Sequence, residues 1–453
     1  MTDEHRNYPS DAHVVRAATD GCAESRLLMS RRAMLGVTAG LFSWAYMPRF
    51  AQAAGGDCPR LLIVVLRGGL DGINTVVPFG DRHYVSMRGS IAIPAASTIR
   101  LNSFFGLHPA LKNFAGLYKT GQAAVINATC VPLRNRSHFD AQDNLETGLP
   151  GKAGIKQTGW LNRLLSALPA GAPVKIAGAI QIGEAPVILR GPAPVLGWSP
   201  AWFRRVSNPT LDSVRSLYRE CDRQMYGMLE RGLTAHRMAN TLDEDDGSIS
   251  SLRKGFRGAG RLLTAADGPR IAVVCVDGWD THIDQGGTQG QHARLLAELD
   301  AAISDFRACI GRAWQNTLMV CATEFGRTIR INGGNGTDHG VGTATLLAGG
   351  AVNGAKIFGD WPGLAPSQLY EGSDLKPTTD LRSVFKGVLR DHLGVPTTLL
   401  NTTIFPESAK AAPLSNLVKT ASAAVGASSA PTETEPPIAS YRRATAQVAE
   451  LAR

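Results

Sequence analysis

Six short runs of nearly uninterrupted apolar residues constrain this chain most. Leu61-Leu62-Ile63-Val64-Val65-Leu66 is the clearest; Ala123–Asn127, Val174–Ile180, Ile271–Val276, Thr317–Ala322 and Thr345–Ala348 are of the same kind. A strand that is apolar on both sides must be covered on both sides, which is the situation of a strand inside a parallel sheet. Helical patterns lie between the runs. In Gln291–Ile310, Leu295, Leu299, Ile303, Phe306 and Ile310 share one face, and Asp380–Leu393 repeats the pattern with Leu381, Val384, Phe385, Val388 and Leu389. Strands alternating with helices predict an α/β fold, a mostly parallel sheet with helices on both faces. Residues 208–265 break the alternation. Leu211–Leu233 is helical with mixed charge, and the acidic run Asp243-Glu244-Asp245-Asp246 precedes a second helical stretch. This segment is expected to be a helical excursion, with the acidic run a solvated loop.

The first 54 residues read as a removable export signal. Ser30-Arg31-Arg32-Ala33-Met34-Leu35 sets paired arginines before an uncharged stretch, Ala33–Met47, and Ala51-Gln52-Ala53 offers a small-residue cleavage site. This order is that of a twin-arginine signal. The uncharged stretch is 15 residues, and a spanning helix needs roughly 20, so no stable membrane anchor is expected. A periplasmic or secreted location follows, with the twin-arginine translocase as a partner during export. Residues 55–420 then form the folded domain. Residues 421–453 are expected to be a disordered tail, because Ala421–Pro437 is rich in Ala, Ser, Thr and Pro. The net charge of +9 comes without a basic run interleaved with aromatics, so nucleic acid is not an expected partner.

In an open parallel sheet, chemistry sits beyond the carboxyl ends of the strands. Arg67-Gly68-Gly69-Leu70-Asp71 follows the first run. Asp277-Gly278-Trp279-Asp280-Thr281-His282 follows Ile271–Val276, and Thr323-Glu324-Phe325-Gly326-Arg327 follows Thr317–Ala322. Gly336-Thr337-Asp338-His339-Gly340 precedes the last run, and Arg136-Ser137-His138-Phe139-Asp140 lies beyond Ala123–Asn127. Carboxylates and imidazoles suit a divalent cation, which can polarise an ester and activate a hydroxyl such as Ser137. Arg67 and Arg327 can hold an anionic group. Each residue alone also has a structural reading. Asp280 can cap or turn, Ser137 can cap the following helix, and His339 can be a satisfied histidine in a Gly-rich loop.

These blocks carry a resemblance. Leu66 to Pro78, Arg136 to Asp143, Gly278 to His282, Thr323 to Thr328, Gly336 to Gly340 and Phe358 to Gly363, taken in order, resemble the domain-of-unknown-function 1501 family. The likeness runs from about Arg31 to about Gly394. It implies the alkaline-phosphatase-like superfamily, with its α/β sheet between helices and a divalent metal such as zinc, calcium or manganese. By that resemblance Asp71 is the first acid, Ser137 the nucleophile, Asp280 and His282 a metal-binding pair, and His339 the last histidine. Glu324 matches the acid of a second pair, but Phe325 stands where that pair has its histidine, and Phe cannot bind a cation. One metal held by Asp280, His282 and His339, with Asp71 and Glu324 in weaker roles, is therefore expected. The implied function is an exported metal-dependent hydrolase of phosphate or sulfate esters, acting on an anionic small molecule or polymer. One alternative is a catalytically degenerate binding protein of the same fold. Another is a sulfatase with formylglycine at Cys130, since Cys130-Val131-Pro132-Leu133-Arg134 fits the Cys-x-Pro-x-Arg core.

Overall fold

Five of the six apolar runs become strands of one sheet, and Val174–Ile180 joins it in its described part, from Ala179 on. The protein is seen here as a computed structural model. It describes residues 58–151, 157–168, 179–182, 186–193, 195–198, 208–223, 225–227, 229–230, 232–233, 249–265 and 268–419. The segment read as an export signal, the expected tail 421–453 and the acidic run 243–246 lie outside the described residues.

Twelve strands are seen among the described residues, numbered in chain order. They are β1 (Arg60–Leu66), β2 (Val76–Val77), β3 (Ile99–Arg100), β4 (Gly106–Leu107), β5 (Ala123–Cys130), β6 (Ala179–Ile182), β7 (Leu196–Trp198), β8 (Ile271–Val276), β9 (Thr317–Ala322), β10 (Thr343–Ala348), β11 (Lys356–Phe358) and β12 (Thr379–Asp380). The main sheet runs β11-β5-β10-β9-β1-β8-β6-β7, with β12 paired to β5. All its pairings are parallel except those of β10, which runs antiparallel to both β5 and β9. β2, β4 and β3 form a separate small sheet.

β1 lies at the centre between β8 and β9. Its successive side chains point to opposite faces. Leu62, Val64 and Leu66 join one core cluster, with Phe256, Leu299, Ile303 and Phe306. Leu61, Ile63 and Val65 join another, with Leu145, Leu161, Leu164, Val384 and Val388. Helices Lys112–Lys119, Ser251–Thr264 and Gln291–Ile310 thus supply one layer, and His138–Thr147, Trp160–Ala167 and Leu381–Leu393 the other. The α/β architecture with helices on both faces follows directly. Ser251–Thr264 belongs to a covering layer through Phe256, Ala259, Leu262 and Leu263, so the helical segment 208–265 rejoins the core at its end. No helix among the described residues is long and apolar enough to cross a membrane.

β5 continues past the run visible in sequence, and its end matters for the site. Thr343 pairs with Thr129 while Thr345 pairs with Ile126, so the register shifts there. Ala128 takes the strain with φ +49. An irregularity of this kind re-aims the residues beyond it, here the segment leading to Ser137 and His138.

Candidate metal centre

Loops from β1, β8, β9 and the segment before β10 meet at one sheet edge because short backbone ties hold them together. Thr337 N donates to Thr281 O at 3.1 Å, Gly340 N to Gly326 O at 2.9 Å, and Thr328 N to Asp338 O at 2.9 Å. Gly68 allows the closest approach. Its φ is +120, and a Cβ there would stand 2.4 Å from Asp280 N. A side chain at that position would push the Asp280 loop outward.

Three imidazoles converge on one carboxylate at this edge. His138 Nε2 and His339 Nε2 are 3.0 Å apart, and His282 Nε2 and His339 Nε2 are 2.9 Å apart. Asp280 Oδ1 lies 2.9 Å from His282 Nε2 and 3.2 Å from His339 Nε2, while Asp280 Oδ2 lies 3.3 Å from His138 Nε2. One ligand atom each from His138, Asp280 and His339 fall within 4.8 Å of one another.

The tautomers follow from the outward nitrogens. His138 Nδ1 faces Glu324 Oε1 at 2.8 Å, His339 Nδ1 faces the Arg136 carbonyl at 2.8 Å, and His282 Nδ1 faces Asp338 Oδ1 at 3.3 Å. Each partner is an acceptor, so each Nδ1 carries the proton and donates. In the neutral rings all three Nε2 lone pairs then point inward. Lone pairs 3 Å apart repel unless a proton or a cation lies between them. Outward Nδ1 donation with inward Nε2 is the arrangement in which histidine holds a metal. The separations of 3.0 to 3.3 Å among His138, Asp280 and His339 also approach the ~3.3 Å ligand-to-ligand edge of a tetrahedral ion with bonds near 2.0 Å. The residues therefore fit a divalent cation.

The electrostatics agree. Burial pushes the His339 imidazole below its ordinary range and keeps it neutral, as a ligand must be. The hydrogen bond that His138 donates to Glu324, ahead of burial, pulls His138 the other way. Burial alone would raise Asp280, but the Arg327 hydrogen bond at 2.6 Å and its charge outweigh this and hold the carboxyl low. Burial likewise opposes ionisation of Glu324, and bonds from His138, Gln142 Nε2 at 3.1 Å and Gly68 N at 2.8 Å overcome it.

The expected site residues thus fall into different places. Asp280, His282 and His339 come together. Glu324 is fully buried behind His138 and orients it. His138 is the member that the sequence argument passed over, although it sits beside Ser137 in the same block. Ser137 is the N-cap of the helix His138–Thr147, and its Oγ accepts from Asp140 N at 3.5 Å. Asp71 lies elsewhere: it caps the helix Gly72–Thr75, accepts from Asn74 N at 3.2 Å, and pairs with the buried Arg88 and with Gln285. Its carboxylate oxygens are taken by Arg88, Gln285 and Asn74 N, and none of its contacts is with the histidine cluster, so the weaker metal role expected for it is not seen.

Both arginines expected to hold an anion are bonded to acidic side chains. Arg67 is bonded to Glu146 at 2.8 Å. Arg327 is 1% exposed and engaged by Asp280, Gly68 O and Thr337 Oγ1. Phe325 packs its ring against His138 and His339, with centroids 4.7 and 4.9 Å away. Cys130 is buried at the end of β5, its thiol pushed up to about 11 by burial. The charged groups around it are Arg134, Asp380 and Arg382, none of them in the histidine cluster.

A family model described as "Protein of unknown function (DUF1501)" matches residues 120–403. No curated protein matches the sequence. Solved structures show a general likeness at low identity. The phosphonate monoester hydrolase of Agrobacterium radiobacter is 12% identical over 75% of this chain and 74% of its own, with a TM-score of 0.35. The lipoteichoic acid synthase LtaP from Listeria monocytogenes is 9% identical over 82% and 81%, with a TM-score of 0.34. The C-terminal periplasmic domain of EcEptC from Escherichia coli, in complex with Zn, is 10% identical over 68% and 76%, with a TM-score of 0.33. The roles of the side chains rest on their own geometry.

Proposed function

Since the chain belongs to the DUF1501 family of proteins of unknown function, its activity has to be read from its own residues, and we propose that it is an exported, metal-dependent hydrolase of phosphate or sulfate esters. The observation that carries this reading is the convergence of imidazole Nε2 atoms on Asp280, with every Nδ1 held by an oxygen acceptor. A divalent cation held by His138, Asp280 and His339, with His282 adjoining, supplies a Lewis acid that polarises an ester and makes a hydroxyl nucleophilic at neutral pH. Imidazole-rich donor sets suit zinc better than manganese, which favours oxygen ligands, or calcium, which takes six to eight oxygens.

The chain's own groups prepare that centre. Glu324 and Asp338 fix the tautomers of His138 and His282, and Arg327 keeps Asp280 ionised. Phe325 and Arg327 limit the centre to one ion. The Phe325 ring occupies the flank of the two histidines, and the Arg327 guanidinium already sits on Asp280 Oδ1. Ser137, next in the chain to His138 and only weakly bonded through Oγ, is the hydroxyl proposed to attack.

Purified protein loaded with zinc or manganese should hold one ion per chain by elemental analysis and turn over p-nitrophenyl phosphate or sulfate. Ser137→Ala should lower kcat by about 10³-fold or more if the serine attacks, because covalent catalysis is then lost. If Ser137 only caps, the change should be confined to about 1 kcal/mol of stability. No turnover of any ester by protein holding its ion would reject the hydrolase reading. It would favour a binding protein, the second reading, which the burial of Arg327 against Asp280 supports.

Export by the twin-arginine route is part of the same proposal and rests on Arg31-Arg32 and the uncharged stretch after them. Arg31→Lys with Arg32→Lys should trap the protein in the cytoplasm, read by fractionation. Unchanged export would exclude that route.

A further inference from the structure

The acceptors on the three outward nitrogens are not alike. Glu324 and Asp338 offer carboxylates to His138 and His282, but His339 Nδ1 donates to a main-chain carbonyl, that of Arg136, at 2.8 Å. That carbonyl lies in segment 131–137, which is neither helix nor strand. No ladder of backbone bonds aims a carbonyl there, so its direction depends on what else holds the segment. Two arginine side chains tie it to the turn 370–374. Arg134 Cζ lies 5.6 Å from the centre of the Tyr370 ring. Arg136 Nε and NH2 both donate to Asp374 Oδ2, at 3.0 and 2.7 Å, and NH2 also reaches Glu371 Oε2 at 2.9 Å. Asp374 is wholly buried, and its Oδ1 accepts from Ser373 Oγ at 2.6 Å.

The same turn holds the loop that carries the histidine. Asp374 forms a β-bridge with Thr328, and Ile329 N donates to Ser373 O at 2.9 Å. Thr328 exchanges bonds with Asp338: Thr328 N donates to Asp338 O at 2.9 Å, and Asp338 N to Thr328 Oγ1 at 3.1 Å. Asp338 directly precedes His339. The contacts therefore close a ring, from Asp374 through Arg136 to His339, and back through Asp338 and Thr328 to Asp374. His339 has a further hold of its own in a β-bridge with Arg327. Opening the ring between Arg136 and Asp374 thus releases the acceptor and leaves the histidine backbone in place.

We propose that Arg136 and Asp374 are positioning residues of the metal centre. Their ion pair aims the Arg136 carbonyl at His339 Nδ1, which keeps the proton on that nitrogen and turns Nε2 toward the ion. The proposal rests on the metal-binding part of the reading above and adds what holds the His339 imidazole in place. Lysine is no equivalent of Arg136, because two donors of one planar fork meet Asp374, and an ammonium is a single point of charge.

The test measures zinc affinity of the full chain by chelator competition, and the visible absorption of the same protein saturated with cobalt. Arg136→Met with Asp374→Asn removes the pair and strands no charge, so metal-free unfolding should stay close to wild type. Zinc affinity should nevertheless fall by about 10–100-fold, the loss that follows when an outer partner of a ligand is removed. The cobalt spectrum should change, because the imidazole is no longer held at its angle to the ion. Arg136→Lys should fall between the double variant and wild type. Zinc affinity within about twofold of wild type in the folded double variant overturns the proposal. So does a lowered affinity with an unchanged cobalt spectrum, which assigns the pair to stability alone. If the double variant does not fold, Arg136→Lys carries the test, and wild-type affinity in it overturns the proposal. Wild type that binds no zinc overturns the metal reading, and the proposal with it. Wild type that binds zinc beside unaffected variants overturns the proposal alone.

Discussion

Replacing His138 by alanine is expected to abolish binding of the ion proposed for the centre and, with it, about 10³-fold or more of any metal-dependent turnover, while the fold persists. The magnitude comes from the cation, which contributes several kcal/mol of charge stabilisation, and each 1.4 kcal/mol is a factor of ten. The fold should persist because His138 is a half-buried helix-start residue whose ring touches Glu324, His339 and Asp280 and meets the core only at Phe325. Glu324→Gln should be milder. It keeps the shape but weakens the hold on Nδ1, and losing such an outer partner costs about 10–100-fold in metal affinity or activity. Metal content by elemental analysis and kcat/KM on one aryl ester check both variants. A His138→Ala protein that retained its ion would remove His138 from the centre and leave Asp280, His282 and His339, the set expected from sequence. The pair of variants separates a ligand from the residue that orients it.

The contrast between His138 and Asp71 shows what could be read in advance. Ile271–Val276, Thr317–Ala322 and Gln291–Ile310 match their elements end for end, because uninterrupted apolar runs and a 3.6-residue period are local signals. From those strands the position of Asp280 and Glu324 at one edge followed by topology alone, whereas His339, which precedes a strand, reaches that edge because β10 runs antiparallel to its neighbours. Which side chains touch did not follow. His138 meets His339 across 201 residues of chain. Its neighbour Ser137 drew attention because a serine suits a nucleophile, and the helix-cap reading of Ser137, open in the sequence, frees His138 to face the cluster. Asp71 looks like Asp280 in sequence, an acid just past a strand. Its spacing to Asn74 was the available clue, since an N-cap acid accepts from the backbone three residues on. Its second partner, Arg88, lies 17 residues away in an unremarkable segment, and nothing local marks it as buried. The register shift at Ala128 was also invisible, because it arises from pairing with β10.

Asp71 supports the sharpest test of stability, since its two readings predict opposite outcomes. Arg88 is wholly buried, with Asp71 Oδ2 on its NH2, Asn74 Oδ1 at 3.2 Å from Nε, and the carbonyls of Thr328 and Ile329 at 3.0 and 3.1 Å from NH1. Asp71→Ala strands that guanidinium without a countercharge. Breaking one side of a buried pair costs about 3–5 kcal/mol, a large part of the ~5–15 kcal/mol that folds a typical domain. Denaturant unfolding of metal-free protein should show the loss in full. The sign with pH follows. Burial alone would raise the Asp71 carboxyl, but Arg88 first, then His292 and the bonds from Gln285 and Asn74, hold it below its usual value. A carboxyl lowered on folding stabilises fully above its unfolded pKa of about 3.9, and the contribution is lost as pH falls through the folded value. The gap between wild type and variant should therefore close on acidification below about pH 4. Asp71→Ala combined with Arg88→Met should recover part of the loss, because the stranded charge is gone. Were Asp71 instead a metal ligand, Asp71→Ala would weaken ion binding and leave metal-free stability nearly unchanged, and adding Arg88→Met would recover nothing. Unfolding without metal, set beside metal affinity in the folded protein, decides between a guanidinium and a cation as the partner of that carboxylate.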